Sequence, residues 1–311
     1  MRTISPVSWP SGAVLLGVLV LLVGLVLAAT PVGAQDDDAP TTLDAGFVEV
    51  FEVSGLLDPV LADALEDAIV SANRDGARAL ILQLNSPASV VPDERLNELA
   101  AQIDASPVPV SVWVGPSGSK AHGKIAQLVS RADAIGVSIG STFGDAGPQV
   151  LDASEFGDIW AGDADLLETT ALTWEQAVER GIVACDRVSI DERGNRLTEE
   201  QSLARCANPT IGDFLVSLDQ FQTEIVDTED GPRLSPVTQT RLRGLSLLDQ
   251  LMHTIASPPV AYLLLVIGLG LLIFEFFSIG IGIAGLIGAV LTAMGGYGIT
   301  VLPIRTWALV L

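Results

Sequence analysis

The sequence predicts a layered α/β domain followed by C-terminal transmembrane α-helices. Three observations predict it. Strand-like and helix-like segments alternate between residues 47 and 139. The chain combines 49% apolar residues with a formal net charge of −22, so hydropathy and charge occupy different places. Residues 258–304 contain no Lys, Arg or Asp and a single Glu, Glu275.

The charge is concentrated in one stretch. Residues 1–34 carry only Arg2, and residues 258–311 carry only Glu275 and Arg305. Residues 35–257 therefore hold 14 basic and 37 acidic side chains. That stretch is long enough for one full hydrophobic core. An acidic field of this size excludes nucleic acid and anionic lipid headgroups as partners.

At the N-terminal end, Arg2 precedes an apolar run over residues 13–29. Val32 and Ala34 then place small residues at −3 and −1 before Asp36-Asp37-Asp38. This is the pattern of a signal peptide over 1–34, with an acidic linker over 35–45. An uncleaved anchor helix is the other reading, and both put residue 35 onward outside the cytoplasm.

Within the domain, residues 47–53 (FVEVFEV) alternate as a strand. Leu61, Leu65, Ala68 and Ile69 recur at helical spacing over 59–73. Residues 79–84 (ALILQL) and 108–114 (VPVSVWV) are near-continuous apolar runs, as in strands buried on both faces. Helices are expected over 94–103 and 119–131, and a fourth strand over 134–139. The alternation implies parallel crossover units. Thr173 and Gln176 form a capping pattern for a helix that Gly181 ends. Over 223–246, Glu229-Asp230-Gly231 is a turn signal, which leaves a β-hairpin and a plain linker both open. Residues 247–255 form a short amphipathic helix in which His253 is expected at an interface rather than as a ligand.

Two membrane spans are expected, at about 260–277 and 281–302, separated by Gly280-Ile281-Gly282. The second is rich in glycine, which permits close helix packing. Glu275 is either a packed polar contact or a residue at the membrane interface. Trp307 to Leu311 is a short tail or the start of a third span.

Little points to cofactor chemistry. The sequence has no phosphate-binding glycine loop, no dinucleotide fingerprint and no metal-ligand cluster, so no cofactor or metal is expected. His122 and His253 are the only histidines. Cys185 and Cys206 are the only cysteines, flank a polar stretch with a Gly194-Asn195 turn signal, and are expected to pair in an oxidising compartment.

The order of segments resembles the long-form NfeD family, membrane-bound relatives of signal peptide peptidase and ClpP-type serine proteases. Leu82-Gln83-Leu84-Asn85-Ser86-Pro87 resembles a family strand ending in L-x-L-D-T-P. Ser106-Pro107-Val108-Pro109-Val110 with Val112-Trp113-Val114-Gly115-Pro116-Ser117-Gly118 resembles SPVPVVVYVAPSGA. Ala132-Asp133-Ala134-Ile135 and residues 140–148 resemble AADVI…PGTNIGAAHPV. Residues 171–183 resemble SLTAEEALELGVI. Residues 256–264, Phe274-Glu275 and Gly280-Ile281-Gly282 resemble the first membrane segments.

The resemblance implies a ClpP/crotonase-like domain over 46–220, a hairpin or linker with a juxtamembrane helix over 221–257, and a membrane region over 258–311. It also implies a Ser-Lys dyad, in which a neutral lysine takes the serine proton and backbone N–H groups hold the oxyanion. The motif P-S-G-A-R-A-A-S-A-G falls on residues 116–125, so the nucleophile position is Gly123. The dyad lysine position is Ala164, and the Gly-Gly of the oxyanion turn is Ala88-Ser89, with Gly118 nearby as further groove backbone. Neither Gly123 nor Ala164 can do the chemistry.

The implied function is a membrane-anchored, catalytically inactive protein that binds partners or apolar peptides. A stomatin-like membrane protein is the implied partner, and the chain would act as a homo-oligomer. The alternative is an active serine endopeptidase with relocated residues: Ser119 or Ser117 as nucleophile, and Lys124 or His122 as base. Lys120 and Lys124 are the only lysines and would share one face of the expected 119–131 helix. An acyl-CoA-handling relative is disfavoured by secretion and by the scarcity of basic residues for a nucleotide.

Overall fold

The computed structural model describes residues 46–151, 162–183, 198, 205–228, 231–278 and 282–302. The signal peptide, the acidic linker, Cys185, Gly194-Asn195, Glu229-Asp230, Gly280-Ile281 and the 307–311 tail lie outside the described residues.

The domain is built on a five-stranded parallel sheet. Its strands are β1 (Phe47–Ser54), β2 (Ala79–Asn85), β3 (Val110–Val114), β5 (Ile135–Val137) and β10 (Gln239–Arg243). They lie in the order β10-β1-β2-β3-β5. Strand alternation divides the core between the two faces. Phe51, Leu80, Leu82, Val112 and Val114 point to one face. There they meet α1 (Pro59–Asp75), α2 (Asp93–Asp104) and a 3₁₀ segment over Gly123–Arg131. Val48, Val50, Ile81 and Trp113 point to the other face, against Phe214 and Leu215 of α5 (Ile211–Val216). The apolar runs of β2 and β3 are thus buried on both sides, as their composition requires.

Local signals set the helix ends. Asp58 accepts from the Leu61 N–H at 2.8 Å, and Pro59 opens α1 where its missing N–H costs nothing. Gly76 closes α1 in the left-handed conformation (φ +69°). Arg95 of α2 reaches Asp63 and Glu66 of α1 at 2.7 and 2.6 Å, pinning the two helices together.

A second, small sheet joins β4 (Lys120–His122), β6 (Thr142–Gly144) and β7 (Ala171–Thr173). Between β6 and β7 stands α3 (Ala164–Thr169), and after β7 comes α4 (Trp174–Glu179). The capping box on α4 forms as expected, with Thr173 and Gln176 bonding reciprocally.

Residues 119–131 differ from the expected single helix. Residues 120–122 are drawn into strand pairing with β6, and Gly123 then turns the chain at φ +68° into the 3₁₀ segment. Tertiary pairing outweighs the local helical pattern here, so Lys120 and Lys124 do not share a helix face.

Residues 223–236 form an antiparallel hairpin, β8 (Thr223–Thr228) with β9 (Gly231–Pro236). The chain then returns to add β10 along β1. Glu49, buried to 4% exposure on β1, meets Arg243 of β10 at 3.0 Å.

A short helix, α6 (Leu247–Ile255), leads into α7 (Pro258–Phe277) and α8 (Ile283–Val301). Both α7 and α8 are long and apolar enough to cross a hydrocarbon core. Glycines bring their backbones together: a Cβ placed on Gly288 would lie 2.8 Å from the Gly268 carbonyl oxygen, so only glycine fits there. The Glu275 side chain lies against Gly285 of α8.

Candidate functional site

The residues expected to form a groove lie past the carboxyl end of β2, on the side of the sheet where open α/β folds place their ligands. Past the end of β2 the chain runs through Ser86-Pro87-Ala88-Ser89. Leu57 clamps this turn on one side: its N–H donates to Ala88 O at 3.0 Å, and Val90 N–H donates to Leu57 O at 2.9 Å. β4 clamps it on the other: Ser86 N–H donates to Lys120 O at 2.6 Å, and His122 N–H donates to Ser86 O at 3.0 Å. The Ser86 hydroxyl ties the turn to itself by donating to Ala88 O at 3.0 Å.

Gly123 follows directly on β4 and faces this turn. A Cβ built on it would lie 3.3 Å from Ala88 Cα and 3.8 Å from Ser89 N. The fold therefore brings together Gly123, the position expected for a nucleophile, and Ala88-Ser89, the positions expected for the oxyanion turn. The Gly123 N–H donates to Asp145 O at 3.0 Å, which holds it at that turn. The Ser89 hydroxyl oxygen is buried there without a hydrogen-bond partner. The sequence pattern assigned Ser89 only a backbone role and carried no signal for this.

Ala164 begins α3. It borders a small hollow with Gln127, Gly147 and Glu168. Gln127 fills the neighbourhood that pattern reading passed over. Its amide nitrogen donates to Ala146 O and Pro148 O at 3.3 and 3.0 Å. Its amide oxygen accepts from the N–H groups of Val150 and Leu151 at 2.9 and 3.2 Å. A buried amide with both ends satisfied rigidifies the segment over 146–151.

The relocated candidates are dispersed. Ser119 is buried, and its N–H donates to Ser141 Oγ at 3.0 Å. The Ser117 hydroxyl donates to Ile139 O at 2.5 Å. Lys124 is paired with Asp93 at the start of α2. Lys120 is exposed on β4. The His122 ring shares a 2.8 Å hydrogen bond with Thr142 Oγ1. Burial holds the His122 pKa below the ordinary imidazole value; Lys120 lowers it further and Asp145 opposes. Gly118 has a positive φ of +82° and open space where a Cβ would stand. Among the described residues, no group of three or more His, Cys, Asp or Glu could hold a metal ion.

A second concave region lies where the domain meets α6. It is a cavity of about 460 Å³ bordered by Glu52, Gly55, Leu245, Gln250, His253 and Ser257. His253 Nδ1 lies 2.9 Å from Asp58 Oδ2, and Nε2 lies 3.1 Å from Ser54 O. The Asp58 hydrogen bond raises the His253 pKa, against the effect of burial. The helical spacing after Asp58 was legible in the sequence; the histidine partner of Asp58, 195 residues away, was not.

The family model of the NfeD integral membrane domain matches residues 259–311. The matched stretch covers the C-terminal helices α7 and α8 and does not reach the α/β domain. The chain is 25% identical over 290 residues to the membrane-bound protease PH1510 of Pyrococcus horikoshii, covering 90% of this chain. It spans 63% of the length of that curated relative. Among solved structures, it matches the 1510-N membrane protease specific for a stomatin homolog from Pyrococcus horikoshii. That match has a TM-score of 0.47, 18% identity, and coverage of 68% of this chain and 99% of that one. It also matches a lysine-to-alanine mutant of the 1510-N stomatin-specific protease in complex with a substrate peptide. There the TM-score is 0.41 and the identity 16%, over 68% of this chain and 97% of that one.

Proposed function

We propose that this chain is a membrane-anchored, protease-like protein that has lost catalysis and acts by binding. The observation that carries this reading is Gly123: the position facing Ala88-Ser89 has no side chain. Ala164, at the expected base position, offers only a methyl group. A dyad protease needs a nucleophile and a base in mutual reach, and neither position supplies one.

The surface around Ala88, Ser89 and Gly118 would bind apolar peptide segments. The curated relative is a membrane-bound protease, and a matched structure is named as specific for a stomatin homolog. These support a stomatin-like membrane protein as partner. In this reading the 1–34 segment exports the domain, the domain faces away from the cytoplasm, Cys185 and Cys206 pair, and the chain self-associates.

The deciding experiment treats the purified full chain in detergent with a serine-reactive fluorophosphonate and with apolar peptides. Neither labelling nor cleavage is expected. Labelling and cleavage that both vanish on Ser119→Ala would establish an active endopeptidase with relocated residues instead.

A further inference from the structure

We propose that α6 lies in the plane of the membrane, with Leu247, Leu248 and Leu251 immersed among the lipid chains of the leaflet on the domain side. Three observations carry this.

The first is helical phase. At about 100° per residue, Leu247, Leu248, Leu251 and Ile255 occupy one arc of α6, and His253 points to the opposite side. His253 is held by Asp58 and by the Ser54 carbonyl, so the domain lies on the His253 side. The leucine arc therefore faces away from the domain.

The second is the gradient along that arc. Ile255 is 2% exposed, and the α6 backbone at this end packs against Gly298 of α8. Leu251 is 49% exposed, Leu248 67% and Leu247 88%. The stripe that starts against a membrane helix runs outward from it with no protein cover among the described residues.

The third is continuity. Only Ala256 and Ser257 separate α6 from α7, whose first turns present Tyr262 and Leu263 at 68% and 56% exposure. The leucine stripe is thus an extension of the surface that the membrane-spanning helices offer to lipid. A helix with one apolar face next to a spanning helix settles at the interface with that face down. Charge gives no help, since residues 35–257 carry 37 acidic side chains against 14 basic ones. The attachment is apolar and needs no anionic lipid.

The test places p-benzoylphenylalanine at Leu247 or at Leu248 in the full chain, reconstituted in phosphatidylcholine bilayers, followed by irradiation and intact mass measurement. Both side chains are largely exposed, so the replacements leave the core untouched. The expected product at each position is the chain plus one phosphatidylcholine, in the same yield at low and high salt. A product of twice the chain mass would identify a second copy as the occupant. Absence of a lipid adduct would mean that the stripe stands in water. Either result overturns the proposal.

Discussion

Gly123 stands directly against Ala88: a Cβ on the glycine would lie 3.3 Å from the Ala88 Cα, in a backbone with φ +68°. In the proposed reading a serine hydroxyl introduced here would still lack a base, because position 164 is alanine. Gly123→Ser places an L side chain in the left-handed region, at a cost of about 1–2 kcal/mol. The expected outcome is a thermal midpoint lowered by a few degrees and no fluorophosphonate labelling, checked by calorimetry and gel fluorescence.

Lys124 and Asp93 form an ion pair between the 3₁₀ segment and α2, with side chains 37% and 53% exposed. A solvated pair of this kind contributes roughly 0–1 kcal/mol. Lys124→Met should leave the thermal midpoint nearly unchanged and leave peptide turnover at the background of the unmodified chain. A loss of turnover in that variant would restore Lys124 as a base.

The two histidines titrate with opposite consequences for stability. Hydrogen bonding to Asp58 raises the His253 pKa above its unfolded value. Its contribution is fully present below the unfolded pKa and is lost as pH rises through the folded one. His122 is held low, mainly by burial, so the folded protein loses stability as pH falls through the unfolded histidine pKa. Unfolding midpoints measured against pH in detergent should show the alkaline loss shrinking in His253→Gln and the acid loss shrinking in His122→Gln. Near neutrality, His253→Ala leaves Oδ2 of the buried Asp58 without its partner, while Oδ1 keeps the Leu61 N–H, and should cost about 3 kcal/mol.

Cys206 is buried at the edge of the core. Pairing with Cys185 would close a loop of about 20 residues and contribute roughly 3 kcal/mol. Alkylation of the unfolded chain without reductant, followed by intact mass measurement, should find no alkylated thiol. Two alkylated thiols would refute the pairing.

Much of the fold was legible because its signals are local. The apolar runs at 79–84 and 108–114, the helical spacing over 59–73 and the Thr173–Gln176 capping pattern depend on neighbours in sequence, and each forms its element. The expected helix over 119–131 fails for the converse reason. Residues 120–122 have helical company but find strand partners at Ser86 and at 142–144. Likewise, β10 completes the main sheet only because Gln239–Arg243 returns to lie beside β1, and no local pattern announced that partner.

The sequence by itself determined the class of the domain, the positions of the two apolar C-terminal helices and the absence of a hydroxyl or amine at Gly123 and Ala164. Composition, periodicity and motif spacing are properties of the chain in order. Only the tertiary structure decided what those positions touch. It set Gly123 against Ala88, committed Lys124 to Asp93, joined His253 to Asp58 and turned three leucines of α6 away from the domain. These relationships join residues as many as 195 positions apart, and folding alone creates such proximity.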